Sequence, residues 1–337
     1  MSGAVTKAYR LGRRFLRSPI RRSPDYPALR SSYGAARNVV AIYYIASVIV
    51  VVNLMMQINP TVANVTAWDF LWPLYWVDPA NAVLTLKVLG ALCFGASLIA
   101  CLWHRVRAVR ILFSVLFLMA CTVPNSFSGI NHPYHAWFWV SFLLIFLPSG
   151  SGGEPENPSR RHMMAFATSV FTVQMTLFLF YSMSGVWKVF YGIRAVVKGQ
   201  DGAFSLGGLA YNLADRVLQT NTSPLLVDFV IENYLLAWIG FLGVMYVQAT
   251  ALIAAFRPRL HVLWGALIVL FHLGTWLLME IIFNFHVLLL AIFFLYSPFR
   301  PARFNLRDTL ADVPFLGTLF PSFFGPAPDT AGQSAKA

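Results

Sequence analysis

The chain has 337 residues, of which 58% are hydrophobic and only 11% charged, with a formal net charge of +12. Soluble domains carry charge at roughly a quarter of positions, so this composition excludes a large water-facing surface. It points to an all-α polytopic membrane protein.

Residues 1–37 form a basic N-terminal arm, with nine of the 25 Lys and Arg against the single acid Asp25. Beside a first membrane span, such an arm faces the cytoplasm and meets anionic lipid headgroups rather than nucleic acid. It lacks the short apolar stretch and small-residue cleavage site of a signal peptide.

Apolar runs near bilayer length then predict a transmembrane domain over 38–297 with about eight helices: 38–58, 83–103, 111–124, 136–148, 163–188, 234–256, 262–280 and 284–297. Pro124 and Pro148 suit helix ends, because proline cannot continue the hydrogen-bond ladder. Cys93, Cys101 and Cys121 all fall inside these runs without CxxC spacing, which suits packing rather than a disulfide framework or zinc.

Basic clusters at Arg105–Arg110, Arg160-Arg161, Arg257–Arg259 and Arg300–Arg307 follow alternate spans. Eight spans with both termini cytoplasmic satisfy the positive-inside bias at nearly every loop, as in a multi-pass bacterial cell-membrane protein. The outer loop 189–233 is the exception, carrying both signs of charge. Within it Leu209, Leu213 and Val217 space like one helical face, predicting a short helix over the end of the bundle that shields apolar side chains. A lid is the alternative role for the same helix. Asn64-Val65-Thr66 and Asn221-Thr222-Ser223 fit a glycosylation triplet too common to decide anything.

The last two spans form an apolar stretch of about 35 residues, roughly 20 Å too long for one straight helix across a ~30 Å core. A tight hairpin turning at Glu280 and Asn284 is expected. The remainder, 298–337, is a cytoplasmic tail, disordered over 326–337.

This topology gathers His132, His135, Lys188, Glu280 and Asn284 at the outer end of the bundle. Ionisable groups at the edge of hydrocarbon are costly and mark candidate sites. Gln174, Tyr181 and Lys188 are seven apart and line one stripe of the fifth span; His272, Trp276 and Glu280 are four apart on the seventh. Facing stripes of this kind would make a polar-floored pocket under aromatic side chains. Glu280 needs a partner, and Lys188 and His272 both qualify. Against this, a lysine at a helix end often snorkels to the headgroups. Two histidines three apart could hold a metal, but no third ligand sits at motif spacing, so no metal is expected.

Asn131-His132-Pro133-Tyr134-His135, running into Trp137–Pro148, resembles the Asn-His-aromatic segment of the vitamin K-dependent γ-carboxylase membrane domain. Ser184-Gly185-Val186-Trp187-Lys188 resembles that family's small-Gly-Val-x-Lys stretch. The wider group is the horizontally transferred transmembrane (HTTM) domain family, and the similarity extends over residues 35–300. The resemblance implies that Lys188 is the base that deprotonates a quinol such as vitamin K hydroquinone. It implies that Asn131 and His132 lie near the same site. The chain departs from the family in having Trp187 where the carboxylase has a second lysine, and in lacking the large soluble region that handles a peptide substrate.

Two functions follow as expectations. The first is a membrane-embedded oxidoreductase or carboxylase-like enzyme acting on a quinol or similar lipid-soluble substrate. In it Lys188, His132 and Glu280 are catalytic, and Asn131, His135, Gln174, Tyr181, His272, Trp276 and Asn284 surround the substrate. The second is a non-enzymatic accessory protein that serves the maturation or export of a secreted peptide or partner protein. A transporter is a third reading, without the internal repeat or paired broken helices that such proteins use.

Overall fold

The computed structural model describes residues 26–63, 69–126, 132–148, 157–301 and 304–315. The arm before Tyr26, the Asn64 triplet, Asn131 and the tail beyond Phe315 lie outside the described residues. Those described are all-α. The helices are α1 (Tyr26–Ala63), α2 (Ala82–Trp103), α3 (Arg107–Thr122), α4 (His135–Leu144), α5 (Arg160–Val197) and α6 (Gly208–Thr220). They continue as α7 (Val227–Glu232), α8 (Tyr234–Ala255), α9 (His261–Met279), α10 (Asn284–Leu290) and α11 (Leu306–Asp312), with a π turn at Ala291–Leu295 following α10.

Five stretches are long and apolar enough to cross a membrane: Ala28–Ile58, Pro79–Trp103, Arg160–Val197, Tyr234–Ala255 and Pro258–Met279. Their outward faces are apolar as well. Ile49, Met56, Leu84 and Leu102 are each more than half exposed, a pattern that lipid tolerates and water does not. The chain is a membrane protein. Three expected spans correspond to shorter elements: α3 has 16 residues, α4 has 10, and α10 with its π turn occupies Asn284–Leu295.

The chain falls into two compact units. One comprises the described residues from Tyr26 to Val173 with Phe283–Pro298; the other comprises Gln174–Ile282 and the described residues from Phe299 to Phe315. In the first, a buried network joins α1 to α4. The Tyr43 hydroxyl donates to the Trp137 carbonyl at 2.9 Å, the Trp137 indole N–H donates to Ser47 Oγ at 2.9 Å, and Ser47 donates to the Tyr43 carbonyl at 2.8 Å. The rings of Tyr43 and Trp137 stack at 5.0 Å. Arg110, 1% exposed, donates to the carbonyls of His104, Arg105 and Leu147. One guanidinium thereby satisfies carbonyls that helix ends would leave orphaned.

In the second unit, Leu213 of α6 is fully buried against Val227 and Val230, with Leu209, Val217, Leu278 and Met279 packed around them. The face expected at 209, 213 and 217 is therefore the one that packs inward. Arg216 Nε donates to the Met279 carbonyl at 3.1 Å and pins α6 to the end of α9. At the other end of that unit, Arg259 pairs with Asp308 at 3.5 Å and Asp312 at 3.6 Å, and Arg257 donates to the Asp312 carbonyl. Burial pushes the Asp312 carboxyl up, against the opposing pull of Arg259 and Arg257. The start of the expected tail is thus a docked helix.

Candidate functional site: a lysine against the middle of two helices

The expectation that the fifth helix stops at Lys188 needs correction. α5 continues nine residues further, to Val197. A charged side chain ends an apolar run in the sequence but does not end a helix. The stop comes at Gly199, whose φ of +63° turns the chain left-handed while Gln200 N–H donates to the Ala195 carbonyl at 2.9 Å. The expected outer loop therefore begins as helix.

This register moves Lys188 away from a helix end. Its Nζ donates to Ser184 Oγ at 2.7 Å, one turn back on α5, and to Gln248 Oε1 at 2.9 Å. Gln248 is the fifteenth of the 22 residues of α8. The Phe271 ring, with its centroid 6.0 Å from Nζ, belongs to the eleventh of the 19 residues of α9. The amine thus docks against the middle of two membrane-length helices.

Close helix contact makes this possible. A Cβ built on Gly185 would lie 2.3 Å from the Ala249 backbone nitrogen, so only glycine lets α5 and α8 approach this closely. Ser182 reinforces the crossing: its hydroxyl lies 3.3 Å from the carbonyls of Gln248 and Ala249 and accepts the Leu252 N–H at 2.7 Å. The Gly185 of the sequence motif has a packing reason, and that reason places Lys188 beside Gln248.

Tyr181 and His272 meet as their stripes suggested, with the Tyr181 hydroxyl 2.7 Å from His272 Nε2 and both side chains buried. Gln174 is fully buried on the same helix. Trp276 is half-exposed, and Glu280 is exposed beyond the end of α9, with a left-handed φ of 54° and its N–H on the Trp276 carbonyl. Lys188 and His272, its two expected partners, instead make the bonds just given. A single left-handed residue after a helix turns the chain out of the helical path, and the carboxylate goes with it.

The histidines belong to the other unit. His132 and His135 approach through their Nδ1 atoms at 3.0 Å, so one ring donates and the other accepts. Tyr134 between them donates to Asn53 Oδ1 at 2.8 Å and stacks on Phe285 at 5.3 Å. His286 lies within electrostatic reach of both histidines; no group of three metal-ligating side chains occurs among the described residues. Asn284 is exposed and opens α10 after the non-helical Glu280–Phe283.

Next to the amine lies a cavity of about 540 Å³, within the second unit. Gln248 and Phe271 line it, and both also touch Lys188. The rest of the wall is almost wholly apolar, with Tyr246 and Thr275 as further polar side chains. Sequence reasoning missed Gln248 and Ser184. Gln248 carried a readable signal, as an amide in an otherwise apolar run; Ser184, inside the motif, carried none beyond its spacing of four from Lys188.

Chemically, the site holds an amine beside greasy space. A neutral lysine has two N–H groups and one lone pair; Ser184 and Gln248 occupy the two donors. The remaining position is a lone pair when the amine is neutral and a third N–H when it is protonated. That is the minimum apparatus for moving one proton. Comparisons with protein-family models, with curated proteins and with solved structures find no match to this chain.

Proposed function

We propose that this protein is a membrane-embedded oxidoreductase, carboxylase-like in its use of a quinol or similar lipid-soluble substrate, with Lys188 as the base. Nζ takes the proton of a quinol hydroxyl, leaving a quinolate that a co-reactant such as dioxygen oxidises. One observation carries the reading: Lys188 has both amine donors engaged, by Ser184 and Gln248, and its neighbours Gln248 and Phe271 line an apolar cavity. Its volume of about 540 Å³ falls within the ~300–1,000 Å³ of small-molecule sites. The Tyr181–His272 hydrogen bond lies two helical turns back along α5 from Lys188 and ties α5 to α9. The wider reading includes eight spans, cytoplasmic termini in a bacterial cell membrane, and kinship with the HTTM and γ-carboxylase families on the two motifs. His132, with Asn131 and His135, belongs to the proposal through that resemblance.

The test is direct. The protein is purified in mild detergent, supplied with a short-chain hydroquinone under air, and followed by the quinone absorbance. Oxidation above that of an identically treated empty-membrane preparation is expected; a rate equal to the blank would sink the reading.

A second reading, a non-enzymatic membrane accessory protein for a secreted or membrane partner, draws on α6 and the segment after it. Tyr211, Leu218 and Leu225 are 66%, 83% and 80% exposed although the opposite face of α6 is packed. On this reading a partner co-purifies with wild type and with Lys188→Met, and is lost on Leu218→Ser with Leu225→Ser. Retention in the double variant would count against it.

A further inference from the structure

Gly240 and Gly243 on α8 and Gly274 on α9 all line the cavity. A Cβ built on any of the three meets no atom within 4 Å. Glycine is a poor residue for a helix interior, and the close backbone approach that explains Gly185 is missing at these positions. What the three share is that each keeps the slot between α8 and α9 wide.

The slot has a length and a direction. Along α8 its wall runs from Ala237 to Gln248, eleven residues or ~16 Å at 1.5 Å each. Leu209 of α6 and Val230 of α7 line it as well; they belong to the cluster that packs Ala237 and Met279. That cluster marks one end; Gln248 and Leu267 mark the other, with Phe271 one turn short of it. Its flank is open, because Gly240, Gly243 and Leu270 are exposed. No charged side chain lines it. Hydrocarbon fits such a slot along its whole length.

The head is selected by charge. Among the described residues Lys188 meets no carboxylate; its two hydrogen bonds end on the neutral oxygens of Ser184 and Gln248. An ammonium has three donors, so one remains for a ligand. A lone cation against the middle of apolar helices is costly unless an anion joins it. A single carboxylate is the smallest headgroup that brings such an anion, and a slot of about 540 Å³ is of a size for one chain.

We propose that this slot binds a long-chain fatty acid, its carboxylate on Lys188 Nζ and its chain lying between α8 and α9 toward α6 and α7. The site goes beyond the quinol reading: it uses the same lysine but requires no reaction.

The full chain is placed in phosphatidylcholine nanodiscs and titrated with radiolabelled palmitate, with unlabelled palmitate, methyl palmitate and dipalmitoyl phosphatidylglycerol as competitors. One saturable site is expected, displaced by palmitate at a concentration at least tenfold lower than by the ester or the phospholipid. Affinity should fall at least tenfold in Lys188→Met. It should fall similarly in Gly243→Leu and Gly274→Leu, whose new side chains enter open space and leave the thermal transition in place. Binding no greater than to empty nanodiscs, equal competition by the neutral ester, or preference for the phospholipid overturns the proposal. So does a change of oligomeric size in the glycine variants with palmitate binding unchanged, since the slot would then be a contact between copies. Palmitate binding without quinol oxidation leaves this inference standing and removes the enzymatic one; oxidation without palmitate binding does the reverse.

Discussion

Gly185→Ala is expected to lower the thermal transition of the purified protein sharply, whereas Gly243→Ala leaves it unchanged or raises it. The two glycines lie on membrane-length helices and differ in what a methyl group would meet. At Gly185 the new carbon falls 2.3 Å from Ala249 N, 2.7 Å from Gln248 C and 2.8 Å from Ala249 Cα. All three are backbone atoms, so no rotamer change can relieve the clash, and α5 and α8 must move apart. Overpacking of this kind costs roughly 1–3 kcal/mol. Separation also breaks the Ser182 bonds to the α8 backbone and the Lys188–Gln248 bond, at about 1 kcal/mol for each neutral bond. Gly243 has nothing within 4 Å of its built Cβ, so alanine there gains helix propensity of up to ~1 kcal/mol. Equal transitions for the two variants would remove the close crossing, and with it the reason Lys188 reaches Gln248.

The same crossing explains what the sequence could and could not reveal. Hydropathy located the centre of every main helix, because a span in lipid must be apolar over nearly its whole length. It failed at the end of α5, where Lys188 interrupts the apolar run but not the hydrogen-bond ladder. The error displaced the site from the middle of the helices to their outer end. Helical spacing put Tyr181 and His272 on two polar stripes, since residues seven or four apart share a face; that the two side chains bond each other is seen only in the structure. It could not identify the partner of Lys188, which depends on the register between α5 and α8. The contact of Gly185 with Ala249 and the Ser182 bonds to the α8 backbone fix that register. Glu280 was a natural partner by charge, yet one left-handed residue at the end of α9 was enough to leave it exposed. The surface helix α6 was legible from its periodicity; the six-residue α7 was not, being too short for a repeat to register.

Two substitutions at the amine separate its chemistry from its packing. Lys188→Met keeps a similar apolar stem and removes the amine that the proposal makes the acceptor of the quinol proton. General-base catalysis contributes typically about 10²–10⁴-fold, so quinol oxidation should fall by that order. That result alone leaves a structural role open, because Gln248 Oε1, 2.9 Å from the amine, loses its donor and stays buried. Gln248→Glu resolves the matter with the lysine in place. A carboxylate at that position fixes the amine as an ammonium in a hydrogen-bonded ion pair, and a protonated amine has no lone pair to offer. Turnover should therefore fall about as far as in Lys188→Met, by ~10²-fold or more, while the thermal transition stays at or above that of wild type. The same carboxylate supplies the anion that the site lacks, so palmitate should be excluded too. A Gln248→Glu protein that oxidises quinol at the wild-type rate would show that proton transfer does not pass through Lys188, whatever the methionine variant does.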